Sequence, residues 1–288
     1  MSKLNQAQAY CRQKVAQSGS SFYYSFLFLP KPQQTAVMAI YAFCREVDDI
    51  VDECQDPKVA ERKLQWWQDE IEALYLGKPS HPISQALLPP VEQYALPKHL
   101  FLEILNGMWM DLRYQGYATL EDLNLYCHCV ASAVGLLTCA VFGYHDNNTL
   151  VFAKQLGLAL QWVNIIRDVG EDAQRGRLYL PESELQIFEL SPQDFFEKQD
   201  SPALRACLHR QAQRAREYYR NALAALPSCD ALAQRPGLIM AAIYFALLDE
   251  IERLDCQVLH QRVSLTPLRK LWIAWKTARR LHPSASSS

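Results

Sequence analysis

Between Leu158 and Val169, apolar side chains at Leu158, Leu160, Val163, Ile165, Ile166 and Val169 cover most of a helix wound at about 3.6 residues per turn. They leave one polar stripe, Gln161, Asn164, Asp168 and Asp172, whose members stand three or four residues apart. The pattern predicts a largely buried helix with two carboxylates and two amides along one side. A related pattern lies far upstream in Cys44-Arg-Glu-Val-Asp-Asp-Ile-Val-Asp-Glu53. There Arg45, Asp48 and Asp52 fall at i, i+3 and i+7 among the apolar residues Ile40, Ala42, Phe43, Val47, Ile50 and Val51.

Elsewhere the same periodicity predicts helices over residues 3 to about 18 and from about Pro32 to Glu53. Between them, the aromatic run Phe22-Tyr-Tyr-Ser-Phe-Leu-Phe-Leu29 reads as one or two helical turns, since no nearby segment offers a strand to pair with it. Asp56 and Pro57 form an N-cap and first helical position, and Gly77 stops the helix they begin. Helices are predicted from about Pro82 to Tyr94 and from Pro97 to Tyr114. Thr119-Leu-Glu-Asp122 resembles a capping box and starts a long helix to about Phe142. Asn147 or Asn148 is expected to cap the helix with the second acidic stripe, and Arg175-Gly-Arg-Leu-Tyr-Leu-Pro181 forms the loop after it. The last helices run from about Pro202 to Leu226, from Leu238 to Cys256 and from Pro267 to Leu281, leaving residues 282–288 as a disordered tail. No Gly/Ser-rich linker and no fixed repeat divides the chain, so the expectation is all-α, a single helical domain over residues 1–281.

Composition narrows the partners. Half of the 288 residues are apolar, 11% are aromatic and only 10 are glycine, which suits a well-buried helical body. A formal charge of −2 gives no basis for nucleic-acid binding. The nine cysteines show no Cys-x-x-Cys spacing, and most sit within helical stretches as small apolar residues of a reducing compartment. The N-terminus lacks a signal-peptide core, and no apolar run reaches the roughly 18–20 residues that span a bilayer. The expected location is cytoplasmic, at most on a membrane surface. The final predicted helix, residues 267–281, mixes Trp and Leu with Arg and Lys as interfacial helices do, though a packing helix with a solvated basic face has the same composition.

Acidic pairs at i, i+4 occur on solvated helix faces too, but here the flanking residues are apolar. Like charges at that spacing repel, and the repulsion grows in a cavity, so a bound cation is the natural remedy. Oxygen ligands without clustered His or Cys suit Mg2+, with Mn2+ as the alternative, rather than zinc. Mg2+ is commonly held by one or two carboxylates together with substrate phosphates. Two such stripes facing each other therefore suggest a bridged diphosphate, with Arg45 as a forked donor to it. No Gly-rich phosphate loop is present.

Asp48-Asp-Ile-Val-Asp52, Tyr126-Cys-His-Cys-Val-Ala131, Gln161-Trp-Val-Asn-Ile-Ile-Arg-Asp-Val-Gly-Glu-Asp172 and Arg175-Gly-Arg-Leu-Tyr-Leu-Pro181 resemble, in this order, the signatures of the squalene/phytoene synthase family. The resemblance runs from about residue 5 to 275. Ser20-Ser-Phe-Tyr-Tyr-Ser-Phe-Leu-Phe-Leu-Pro30 and Arg262-Val-Ser-Leu-Thr-Pro-Leu-Arg-Lys-Leu-Trp272 are most similar to its bacterial presqualene diphosphate synthases of hopanoid-type pathways. The resemblance implies an isoprenoid synthase fold with a central apolar cavity where two prenyl diphosphates join head to head. It implies that Asp48, Asp52, Asp168 and Asp172 bind Mg2+, with Asn164 and Gln161 on the same stripe. It places Arg45, Ser21 and Arg262 against diphosphate, with Ser20 and Tyr41 as further contacts. Tyr126 is expected near the reacting carbons. Phe22, Phe26, Val130, Val134, Leu137 and Leu160 are expected to wall the prenyl tails, and Arg177 and Tyr179 to sit in a loop that closes over the metals.

The reaction so implied is farnesyl diphosphate condensation to presqualene diphosphate. Ionisation of an allylic C–O bond leaves a carbocation that a dry aromatic cavity shelters, and proton loss, directed by Tyr126 or the released diphosphate, closes a cyclopropane. Alternatives within the family are phytoene or dehydrosqualene synthesis, or NADPH-dependent squalene synthesis; NADPH is not expected. An alternative of another class is a non-catalytic helical interaction protein of the same fold, whose mark would be loss of the metal-binding aspartates. The expected partners are prenyl diphosphates, with peripheral membrane contact through 267–281 and a downstream isoprenoid enzyme as secondary expectations.

Overall fold

The structure is a computed structural model that describes residues 2–17, 25, 26 and 29–280. The expectations for Ser20, Ser21, Phe22, most of the aromatic run and the tail fall outside the described residues. Among those described there are helices and no strands: α1 (Lys3–Gln17), α2 (Lys31–Glu53), α3 (Pro57–Tyr75), α4 (Pro82–Gln93), α5 (Lys98–Leu112), α6 (Leu120–Cys127), α7 (Ala133–Phe142), α8 (Asn148–Gln174), α9 (Glu182–Gln186), α10 (Pro192–Phe196), α11 (Pro202–Ala225), α12 (Arg235–Arg253) and α13 (Pro267–Arg280).

Local signals explain most of the boundaries. Asp56 accepts from the Lys58 N–H at the start of α3, and Gly77, at φ 73°, follows that helix. Thr119 and Asp122 form the reciprocal capping box that opens α6. At the head of α8 the capping bond differs from the expectation: Asn147 makes no side-chain cap, and Asp146 Oδ1 accepts from the Asn148 N–H at 2.8 Å. α12 starts at Arg235, ahead of Leu238, and ends at Arg253, with Asp255 and Cys256 in left-handed conformation just beyond it. The short α9 and α10 lie in a stretch with too few apolar positions to show a period.

Among the described residues there are two large apolar cores, with a small third cluster of Phe152, Leu156, Ala222 and Ala241. One gathers Val37, Ile40 and Phe43 of α2 with Leu64 and Ile71 of α3 and Phe101 and Leu105 of α5. The other gathers Trp162 and Ile166 of α8 with Leu208 of α11 and Ile243 and Ile251 of α12. The predicted long helix from Thr119 to Phe142 spans both, with Tyr126 and Cys127 in the second core and Leu137 and Val141 in the first. It is not uniform. His128–Ser132 forms a π-helical turn between α6 and α7, and Val130 within it packs against both cores. The turn is held by close approach: a Cβ on Gly157 of α8 would stand 2.6 Å from the Ser132 Cα.

Two helical stretches, Leu120–Phe142 and Asn148–Gln174, are long and apolar enough to cross a membrane, contrary to the expectation that no such run exists. Each is also a core helix, with 50% and 61% of its most apolar window buried in the bundle.

Candidate active site

The two acidic stripes converge. α2 and α8 present Asp48, Asp52, Asp168 and Asp172 to one cavity of about 490 Å3. Tyr41, Arg45, Gln161, Asn164, Arg177, Tyr179 and Arg262 line it as well. Away from the acids its wall is built from Phe26, Val130, Val134 and Leu160, together with Phe142 and Leu156, which the sequence did not single out. Leu137 is a correction. It is fully buried in the first core and does not line the cavity, because Ala131, Val134, Gly135 and Thr138 occupy the face of the π-turn and α7 that does.

Three of the four carboxylates, Asp48, Asp52 and Asp168, meet guanidinium. Arg45 donates from Nη1 to Asp48 Oδ2 and from Nη2 to Asp49 Oδ1. Arg167 grips Asp168 through both carboxylate oxygens, and Arg262 Nε donates to Asp168 Oδ1 at 2.8 Å. Arg262 arrives on a segment pressed against α8, where a Cβ on Gly170 would stand 2.3 Å from the Leu259 carbonyl oxygen. From the loop after α8, Arg177 Nη1 lies 3.6 Å from Asp52 Oδ1, and Arg175 Nη1 lies 3.7 Å from Asp52 Oδ2. Gly176, at φ 71°, allows the reversal that folds this loop back from α8 onto α2.

Electrostatics separate Asp48, Asp168 and Asp172. Burial raises Asp172 to about 7, with the neighbouring Asp168 charge adding to the shift. Burial likewise raises Asp48 to about 6, against the opposing pull of Arg45. Asp168 is also desolvated, yet Arg167 and Arg262 outweigh burial and hold it below the usual carboxylate range.

The donor set available to a divalent cation is Asp48, Asp52, Asp168 and Asp172 with Asn164. Asn164 Oδ1 is buried without a hydrogen-bond partner, a free hard oxygen between Gln161 and Asp168. Among the described residues no three His, Cys, Asp or Glu side chains already form a metal cluster. The residues therefore fit Mg2+ completed by phosphate oxygens better than a closed protein cage.

Asp111 of α5 belongs to the site and was missed. It is buried, and both Tyr126 and Tyr179 donate their hydroxyl protons to it, at 2.8 and 2.9 Å. The two rings stack, with centroids 5.3 Å apart. Burial raises Asp111 to about 6, against the lowering effect of those hydroxyls and Arg177. Its sequence signal was slight: one acid in the otherwise apolar run Gly107-Met-Trp-Met-Asp-Leu112. Tyr179, expected in a closing loop, is thus an anchored wall residue. The loop is pinned again where the Leu178 N–H donates to the Tyr114 hydroxyl at 2.9 Å.

Residues 15–269 match the family described as squalene/phytoene synthase. The chain is 34% identical over 283 residues to the 15-cis-phytoene synthase of Synechococcus elongatus, covering 94% of this chain and 92% of that one. Among solved structures it is similar to a dehydrosqualene synthase with ligand, at 27% identity and a TM-score of 0.86, covering 96% of this chain and 97% of that chain. It is also similar to the squalene synthase HpnC of Alicyclobacillus acidocaldarius, at 27% identity and a TM-score of 0.79, over 88% and 95% of the two chains. A helical body whose two acidic helices meet over one apolar-walled cavity accords with these likenesses, and the chain belongs to the squalene/phytoene synthase family, with its isoprenoid synthase fold and head-to-head prenyltransferase chemistry.

Proposed function

We propose that the protein joins two C20 prenyl diphosphates head to head and carries the cyclopropyl diphosphate so formed on to phytoene. The observation that supports condensation is the meeting of Asp48, Asp52, Asp168 and Asp172 at one end of a cavity whose remaining wall is apolar. The C20 reading rests on the phytoene synthase relatives, 31–34% identical over nearly the whole chain, and it reverses the order reached from sequence, which put presqualene diphosphate first. Farnesyl diphosphate condensation to presqualene diphosphate is the second reading, favoured by the likeness to the dehydrosqualene synthase and HpnC structures.

Asp48, Asp52, Asp168, Asp172 and Asn164 would hold Mg2+, which when bound would supply positive charge against the departing diphosphate. Arg45 and Arg262, resting on Asp48 and Asp168, are placed to turn their forked donors onto phosphate oxygens. Phe26, Val130, Val134 and Leu160 exclude water from the allylic cation. The stacked Tyr126 and Tyr179 rings offer π-faces to it. Tyr126 Oη gives its own proton to Asp111 and keeps its lone pairs for the proton lost on ring closure. In that step a C–H bond breaks, its electron pair closes the cyclopropane, and the tyrosine proton moves to Asp111 Oδ2. The released diphosphate is the competing acceptor.

Incubation of the purified protein with Mg2+ and either the C15 or the C20 diphosphate, with and without NADPH, tests the reading by mass spectrometry. Phytoene from the C20 substrate under both conditions is the expected result. Presqualene diphosphate or a C30 hydrocarbon as main product overturns the C20 reading, and no condensation from either substrate overturns the proposal as a whole.

A further inference from the structure

α13 carries its large apolar residues on the wrong side for a helix that serves only to pack. Its inward face is made of Ile273, Ala274 and Ala278, small or modest side chains set against the second core. Leu268, Leu271, Trp272 and Trp275 point to solvent, with exposures of 79%, 42%, 55% and 49%. Their spacing of i, i+3, i+4 and i+7 makes one continuous outer stripe. Cations border it: Lys276 lies over the Trp272 ring at 4.5 Å, and Arg279 over the Trp275 ring at 4.8 Å. The helix contains Arg269, Lys270, Lys276, Arg279 and Arg280 and no acid, on a chain whose formal charge is −2. Arg269 is tied to Glu250 of α12, which fixes the near end of the helix to the body.

We propose that this outer face of α13 docks on an anionic bilayer surface. Trp, with its apolar ring and its N–H donor, prefers the headgroup boundary, and Leu268 and Leu271 reach past it into the acyl region. Lys276, Arg279 and Arg280 sit beside the stripe at the level of lipid phosphates, where each cation near an anionic surface strengthens attachment about fivefold. Charge complementarity favours a lipid surface over a second copy of this chain, because the same face on a copy would bring the cations together. The segment leading into α13 carries Arg262, which reaches Asp168 in the cavity, so docking sets the site beside the surface. The inference does not depend on tail length or product.

The full chain is tested by co-sedimentation with vesicles of phosphatidylcholine alone and of phosphatidylcholine mixed with phosphatidylglycerol. Binding to the anionic vesicles, weakened by salt and accompanied by a blue shift of tryptophan fluorescence, is expected. Leu268→Ser with Trp272→Ser and Trp275→Ser should weaken binding by more than about tenfold. A second variant, Lys276→Gln with Arg279→Gln and Arg280→Gln, leaves the apolar stripe intact and should lose its preference for anionic lipid. Both should retain full turnover of substrate dispersed in detergent. Equal binding to neutral vesicles, unchanged binding by either variant, or a dimer in sedimentation velocity that the Leu/Trp variant abolishes, overturns the proposal.

Discussion

Asp111 shows how one side chain can organise a reaction surface without occupying its centre. Two tyrosines from separate parts of the chain commit their protons to it, so the orientation of the Tyr126 oxygen depends on a carboxylate fifteen residues earlier, on another helix. Asp111→Asn keeps the shape but removes the charge and turns one acceptor into a donor. We expect kcat to fall by about a hundredfold with KM little changed, and Tyr126→Phe to do the same. In the double variant the losses should not add, since both remove one proton route. Single-turnover rates of the three variants check this, and a full rate in Asp111→Asn would exclude the acid from the step. The four aspartates were legible in the sequence because each pair keeps a helical spacing inside an apolar stretch. Asp111 has no such companion, and its role exists only once α5, α6 and the loop after α8 are brought together.

At the scale of elements, starts and stops were readable wherever chemistry marks them: Asp56-Pro57, Thr119 with Asp122, and Gly77 each act within a few residues. The π-turn at His128–Ser132 was not, because no proline or glycine within it departs from a helical pattern. Its cause is tertiary. Gly157 lets the α8 backbone press on Ser132, and Gly107 of α5 does the same for Val130, whose Cγ1 would stand 2.6 Å from an added Cβ. The extra residue per turn re-aims Val130 and Ala131 into the cavity. Gly157→Ala should therefore destabilise the protein by about 1–3 kcal/mol and disturb the tail wall as well. Thermal unfolding measures the first effect. A change in the ratio of C20 to C15 turnover measures the second, and a variant that unfolds earlier with an unchanged ratio would separate the turn from tail selection.

For the whole molecule, the site joins acids that three different helices bury together, and this makes stability depend on pH. Asp48, Asp111 and Asp172 have folded values of about 6, 6 and 7, against an ordinary value of 3.8. A raised carboxyl favours the folded state while it is protonated, so this contribution is complete below about pH 4 and is lost as pH rises through 6 to 7. Asp168 acts in the opposite sense, stabilising above the ordinary value and losing that contribution in more acidic solution. The metal-free protein should thus melt at a lower temperature at pH 8 than at pH 5.5. Mg2+ with inorganic diphosphate should recover the difference, and Asp172→Asn should flatten the profile. Calorimetry across this range is the check; a flat profile in the unaltered protein would show that solvent relieves these acids. Convergence of the two stripes could be anticipated from chemistry, since neither is comfortable alone in an apolar helix. The distance and contacts between them could not, because these are set by how the two cores share the helix from Thr119 to Phe142.

The guanidinium groups resting on the aspartates carry a consequence of their own. An arriving substrate meets three of the four aspartates already paired, Asp48 with Arg45, Asp52 with the Arg175–Arg177 turn and Asp168 with Arg167 and Arg262. On the proposed function, loading the site would be an exchange of partners, with arginine passing from carboxylate to phosphate where a bound Mg2+ would take its place. Emptying it runs the same exchange backwards, so a pocket built to pull a leaving group away also has a ready means of letting it go.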